Sequence, residues 1–161
     1  MNIIYVATVI SLPNNLGEGS GGSTHTLEVA RHLSQLGHSV HVLCRRPQRG
    51  QTRDDVVQTI PVSRVLGTGG AYKLLNKALP LWRISKRIYH CFRAARECVT
   101  IIRAARRNGC EVLYERSDCS SAACSIAAIL LRRPLVLEVN DQSIFPFSLR
   151  VASGIITPSA S

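Results

Sequence analysis

Apolar and polar positions run in blocks along this chain of 161 residues, and their period changes from block to block. Asn2–Ile10 is a continuous apolar run rich in β-branched side chains, as expected of a strand covered on both faces. A polar loop, Ser11–Gly22, follows. Ser23 or Thr24 then stands where a helix N-cap belongs. Leu27, Ala30, Leu33 and Leu36 recur on one helical face as far as Gly37, the expected C′ residue. Ser39–Cys44 reads as a second strand, and Val56–Val65 as a third that Pro61 cuts or confines to a sheet edge. Residues 71–108 carry helical spacing in two pieces divided by Pro80, and Gly109 closes the second piece. Glu111–Glu115, Pro134–Asn140 and Gly154–Thr157 supply three more strands. A short Ala/Ser/Ile-rich helix falls within Ser117–Leu131.

Strands and helices alternate over most of the length, which predicts an α/β domain: a Rossmann-like, doubly wound parallel sheet with helices on both faces. Six strands in two halves fit the order 3-2-1-4-5-6. The whole chain, residues 1–161, reads as one such domain. In that order the first and fourth strands are neighbours at the switch point, and ligands bind beyond the carboxyl ends of the strands there. The loops that matter therefore follow Ile10, Tyr114 and Val139.

The first of these loops reads Gly17-Glu18-Gly19-Ser20-Gly21-Gly22-Ser23-Thr24-His25. Glycines let a ligand approach the backbone, and the helix that follows aims free N–H groups and its positive end at the same point. A phosphate or diphosphate suits it, and a side chain at Gly22 is expected to block the ligand without loss of stability. Gly17, Gly19 and Gly22 also spell G-x-G-x-x-G, but too far beyond Ile10, and Arg45-Arg46 stand where an acid for the ribose belongs. An NADP-binding domain stays open as an alternative. The second loop offers Glu115 and Arg116. The third offers Glu138, costly in a covered strand unless paired, with Asn140 and Asp141 at the sheet edge as hydrogen-bonding groups for a sugar.

The charge balance sharpens this picture. Twenty basic residues face ten acidic ones, a net charge of +10, so an anionic partner is expected. Ten of the twenty lie between Lys73 and Arg107, where Glu97 is the one acid. Ile84, Ile88, Cys91, Ala95, Val99 and Ile102 mark the expected apolar face of that helix. Arg83, Lys86, Arg93, Arg96, Arg103 and Arg107 project mostly elsewhere. The face is either an ordinary solvated one or a contact for an anionic membrane surface. No interleaved aromatics and no reader motif support nucleic acid, which is set aside. Six cysteines form no C-x-x-C pair, so a metal site is not expected; they read as reduced thiols of a cytoplasmic protein, most of them core residues. No stretch of about 18 uncharged apolar residues is present to span a bilayer.

Gly21-Gly22-Ser23-Thr24-His25-Thr26-Leu27-Glu28-Val29-Ala30, with Leu33 and Leu36-Gly37-His38-Ser39-Val40-His41-Val42-Leu43, resembles the first loop, helix and second strand of group-one (family-four) glycosyltransferases of the GT-B architecture. Leu113-Tyr114-Glu115-Arg116, Pro134–Asp141 and Ile155-Ile156-Thr157-Pro158-Ser159 resemble later segments of the same amino-terminal domain. The resemblance implies one half of a two-domain enzyme. This half is the acceptor side, and a carboxyl-terminal domain or subunit binds the nucleotide-sugar donor. It implies retaining transfer without a required metal or other cofactor. The membrane reading of the basic helix fits a glycan or lipid-linked acceptor, at the inner face of the membrane. Gly21 and Gly22 would meet the donor diphosphate. Ser23, His25, Glu115, Arg116, Glu138, Asn140 and Asp141 are the candidate acceptor or sugar contacts. Asn140 stands where many members carry a His, and no catalytic base is assigned. The family's paired glutamates belong to the carboxyl-terminal domain, so this half alone is expected to be inactive. A non-catalytic domain that binds a membrane or partner subunit is the other alternative.

Overall fold

A computed structural model describes residues 1–12, 21–46, 57–61, 81–117, 121–139 and 146–157. Six parallel strands lie in the order β3-β2-β1-β4-β5-β6, as the alternation of elements predicts. They are β1 (Asn2–Ser11), β2 (Ser39–Arg46), β3 (Val57–Pro61), β4 (Val112–Ser117), β5 (Leu135–Val139) and β6 (Gly154–Ile156). The helices are α1 (Gly21–Gln35), α2 (Leu81–Arg107), α3 (Ala123–Leu131) and α4 (Pro146–Val151).

Alternation along the strands sorts the core into two layers. Ile4 and Val6 of β1, Leu43 of β2 and Leu113 of β4 pack with Cys98, Ile101, Ala104 and Ala105 of α2 and with Ala123, Cys124 and Ala127 of α3. On the other face Ile3 and Tyr5, Val40 and Val42, and Tyr114 pack with Leu27 and Ala30 of α1. Four of the expected core cysteines, Cys44, Cys98, Cys110 and Cys124, are buried, whereas Cys91 is exposed. Burial pushes the Cys44 thiol up to about 12.

Several boundaries differ from the sequence reading. Helix α1 starts at Gly21, so Ser23 and Thr24 fall inside its first turn rather than at its cap. It ends as expected: Gly37 takes φ +85°, its N–H bonds to the Ser34 carbonyl at 2.9 Å, and that of His38 to Leu33 at 3.2 Å. Gly109 likewise follows α2 with φ +58°. Strand β2 runs on through Arg45 and Arg46, because Ser11 of β1 pairs with Arg46 after an irregularity between Ala7 and Ser11. Strand β3 lies at one edge of the sheet, with Pro61 as its last described residue. Helix α4 has no counterpart in the sequence reading, since six residues are too few to establish a helical period.

Candidate functional site

The site lies on the α1 face of the sheet, at the carboxyl ends of β1, β4 and β5. Strand register explains its composition. Tyr5 pairs with Tyr114, and Tyr114 with Val136. Two residues further on, a step that returns to the same face, Arg116 pairs with Glu138. Above these four side chains sit the first two turns of α1, which contribute Gly22, His25 and Thr26.

Glu138 is at the centre and is 3% exposed. Its Oε2 accepts the phenolic protons of Tyr5 at 2.9 Å and Tyr114 at 3.0 Å. Its Oε1 lies 2.7 Å from His25 Nε2. The two tyrosine rings meet edge to face with centroids 4.7 Å apart. Burial raises the pKa of both phenols, and the Glu138 charge raises it further, so each stays a protonated donor. The carboxylate that would be costly alone in a covered strand is therefore matched by converging donors.

Arg116 supports the glycine turn from below. Its Nη1 donates to the Gly22 carbonyl and, at 3.1 Å, to Thr26 Oγ1. Thr26 Oγ1 in turn donates to the Gly22 carbonyl at 2.9 Å. A Cβ at Gly22 would stand 3.3 Å from Arg116 Nη1 and 3.3 Å from Ile10 Cδ1, whereas one at Gly21 would meet nothing within 4 Å among the described residues. Gly22 is thus packed between the helix and the sheet, and Gly21 faces out. The turn carries two positive sources, the guanidinium and the helix N-terminus.

The sequence candidates are not all brought together. Gly21, Gly22, His25, Arg116 and Glu138 form one cluster. Ser23 is fully buried. Glu115, one residue before Arg116, is directed to the opposite layer, where its charge raises the Cys124 thiol further. Asn140 and Asp141 lie outside the described residues, as do Gly17 and Gly19. Sequence reasoning missed Tyr5, Tyr114 and Thr26. The two tyrosines read as core strand residues, and only the partner Glu138 signals that their hydroxyls are used.

On α2 the expected apolar face is rotated. Cys98, Ile101, Ala104 and Ala105 are the buried residues, while Cys91, Ala95 and Val99 are exposed and Ile102 is half-buried. The cause is Glu97, which an apolar criterion assigns to the surface. It is buried, pairs with Arg93 Nε at 3.0 Å and accepts from Ser121 Oγ at 2.9 Å, tying α2 to the start of α3. Arg93 is therefore engaged within the fold. Arg96, Arg103 and Arg107 are exposed, and the side chains of Arg83 and Lys86 lie outside the described set. Among the described residues no cluster of His, Cys, Asp and Glu could hold a metal ion, and no helix is long and apolar enough to cross a membrane.

A doubly wound parallel domain with a glycine turn and a helix N-terminus at its switch point defines a Rossmann-like ligand-binding class. The sequence profile of Glycosyltransferase Family 4 matches residues 19–160, and the chain belongs to that family. Solved structures agree at the level of fold. MurG of Acinetobacter baumannii superposes with a TM-score of 0.54 at 15% identity, over 97% of this chain and 41% of its own. A glycosyltransferase from Rickettsia africae ESF-5 gives 0.53 at 15% identity, over 92% and 32%. Sucrose-phosphate synthase from Thermosynechococcus elongatus gives 0.50 at 10% identity, over 93% and 38%. The chain thus spans less than half the length of each. No protein of curated function matches its sequence.

Proposed function

We propose that this chain is the acceptor-side domain of a retaining glycosyltransferase. It works with a donor-binding half to move a sugar from a nucleotide-sugar to a glycan or lipid-linked acceptor. The observation that carries this reading is the turn at Gly21–Gly22. It opens α1 at the switch point, presents Gly21 to the outside and has the Arg116 guanidinium beneath it. As the bond between the anomeric carbon and the diphosphate breaks, negative charge gathers on the leaving group. A helix N-terminus and a fixed guanidinium are suited to stabilise that charge. His25, half-exposed beside the turn, is the sugar contact.

Helix α2 suits an acceptor held at an anionic membrane. Phe92, Arg96, Val99, Arg103 and Arg106 are all exposed and follow one another at steps of four and three along one outward line. In this reading the domain docks peripherally on the inner face of the membrane.

The test is turnover. The 161-residue chain alone should transfer no sugar from a panel of nucleotide-sugars. It should gain activity when a donor-binding half is supplied, fused or as a second polypeptide. Turnover by the chain alone would contradict the division of labour. No turnover by any combination would contradict the transferase reading.

A further inference from the structure

Glu138 cannot itself be reached by a ligand. It is 3% exposed, Oε2 is occupied by two phenols, and Oε1 faces His25 Nε2. An ionised carboxylate only accepts hydrogen bonds. With Tyr5 and Tyr114 donating to Oε2, the 2.7 Å contact at Oε1 requires the imidazole proton to sit on Nε2. In the neutral ring the other nitrogen, Nδ1, then carries a lone pair. The His25 side chain is 44% exposed, against 4% for that of Glu138, so the ring reaches solvent while its Nε2 is held against the carboxylate. A hydrogen bond at one ring nitrogen sets what the other can do.

We infer that Glu138, braced by Tyr5 and Tyr114, is a positioning residue that holds His25 as a hydrogen-bond acceptor for a hydroxyl of the sugar ligand. Two of its donors come from adjacent strands and the third from the helix that opens the site, so ring orientation is tied to the sheet. The choice of a sugar hydroxyl as the donor rests on the transferase reading; the tautomer lock does not.

The test reads the ring nitrogens directly. The 161-residue chain, labelled with ¹⁵N-histidine, is examined by long-range ¹H–¹⁵N correlation at mildly alkaline pH, where an imidazole is neutral. His25 should carry its proton on Nε2. In Glu138→Gln the amide oxygen should take the two phenols and the amide N–H groups should face Nε2, driving the proton to Nδ1. Tyr114→Phe leaves Oε1 untouched and should keep the proton on Nε2. If Glu138→Gln does not fold, the His25 Hε2 resonance decides: far downfield and slow to exchange in the parent and in Tyr114→Phe if the carboxylate holds it, averaged with solvent if it does not. Methyl α-glucopyranoside and methyl α-mannopyranoside are then titrated as probes. At least one should shift the His25 Nδ1 resonance in the parent and in Tyr114→Phe, with affinity roughly tenfold weaker in Glu138→Gln, the scale of one hydrogen bond. A proton on Nδ1 in the parent, an unchanged tautomer in folded Glu138→Gln, or an Nδ1 resonance unmoved by both glycosides would overturn the inference. Turnover is measured separately. A locked tautomer and a glycoside response without transfer would remove the transferase reading and leave this site. Transfer with the proton on Nδ1 would do the reverse.

Discussion

A buried titratable side chain makes its demands on pH locally, and His41 shows how. It sits in β2, 8% exposed, and burial lowers its pKa below the ordinary value. The folded chain therefore resists its protonation, while the unfolded chain takes up the proton near pH 6.5, the usual histidine value of about 6.5. Stability from this residue is present above that range and is lost as pH falls through it. Denaturant unfolding between neutral and mildly acid pH should show that fall, and His41→Leu should flatten it. An unchanged slope in the variant would mean that other groups carry the dependence. At Gly22 the expectation that a side chain is harmless to stability turns on two neighbours. The Cβ of Gly22→Val would meet Arg116 Nη1 and Ile10 Cδ1 at 3.3 Å. Both are side-chain ends that must give by a few tenths of an ångström, so a loss of activity there has to be read together with Tm to separate a blocked ligand from a strained turn.

The elements of the fold were legible in the sequence where periodicity was strong. The order of the six strands follows from the alternation of elements, and the end of α1 follows from Gly37. The buried face of α2 was not legible, because Glu97 belongs to it. Its acceptability there depends on Arg93 and Ser121, and Ser121 is 24 residues away. The contrast between two apolar residues of α2 tests the corrected face. Ile101, 1% exposed, should cost about 2–5 kcal/mol when changed to Ala. Val99→Ser, at a position 44% exposed, should stay within about 0.5 kcal/mol. Chemical denaturation decides, and equal losses would return the helix to the face that periodicity selects. The same rotation brings Phe92 and Val99 into line with Arg96 and Arg103. The chain should co-sediment with anionic vesicles and not with neutral ones, and salt should release it. Replacing Arg96 and Arg103 by Glu should abolish the binding, each charge contributing about 1 kcal/mol. Equal binding to both vesicle types, or none to either, would make the outward face an ordinary solvated one.

At the scale of the whole molecule, the switch point unites what the sequence leaves scattered. Gly22 and His25 stand more than ninety positions before Arg116 and Glu138. Doubly wound order predicts that their strands and loops meet, but not that Glu138 turns inward to bind two tyrosines. That depends on side-chain parity along three neighbouring strands. Belonging to Glycosyltransferase Family 4 fits this arrangement, and the chain covers less than half of each structure it resembles. The central claim is that a donor held by another half reaches this domain at the α1 turn. Gly21 offers the cleanest test, since a Cβ there meets nothing within 4 Å among the described residues. The measurement is kcat/KM for the nucleotide-sugar, with Tm recorded in parallel, for Gly21→Val and the parent, each combined with the donor-binding half. The account predicts a fall of roughly tenfold or more, the scale of one lost phosphate–backbone hydrogen bond, with Tm almost unchanged. A variant as active as its parent would mean that the donor does not approach this turn.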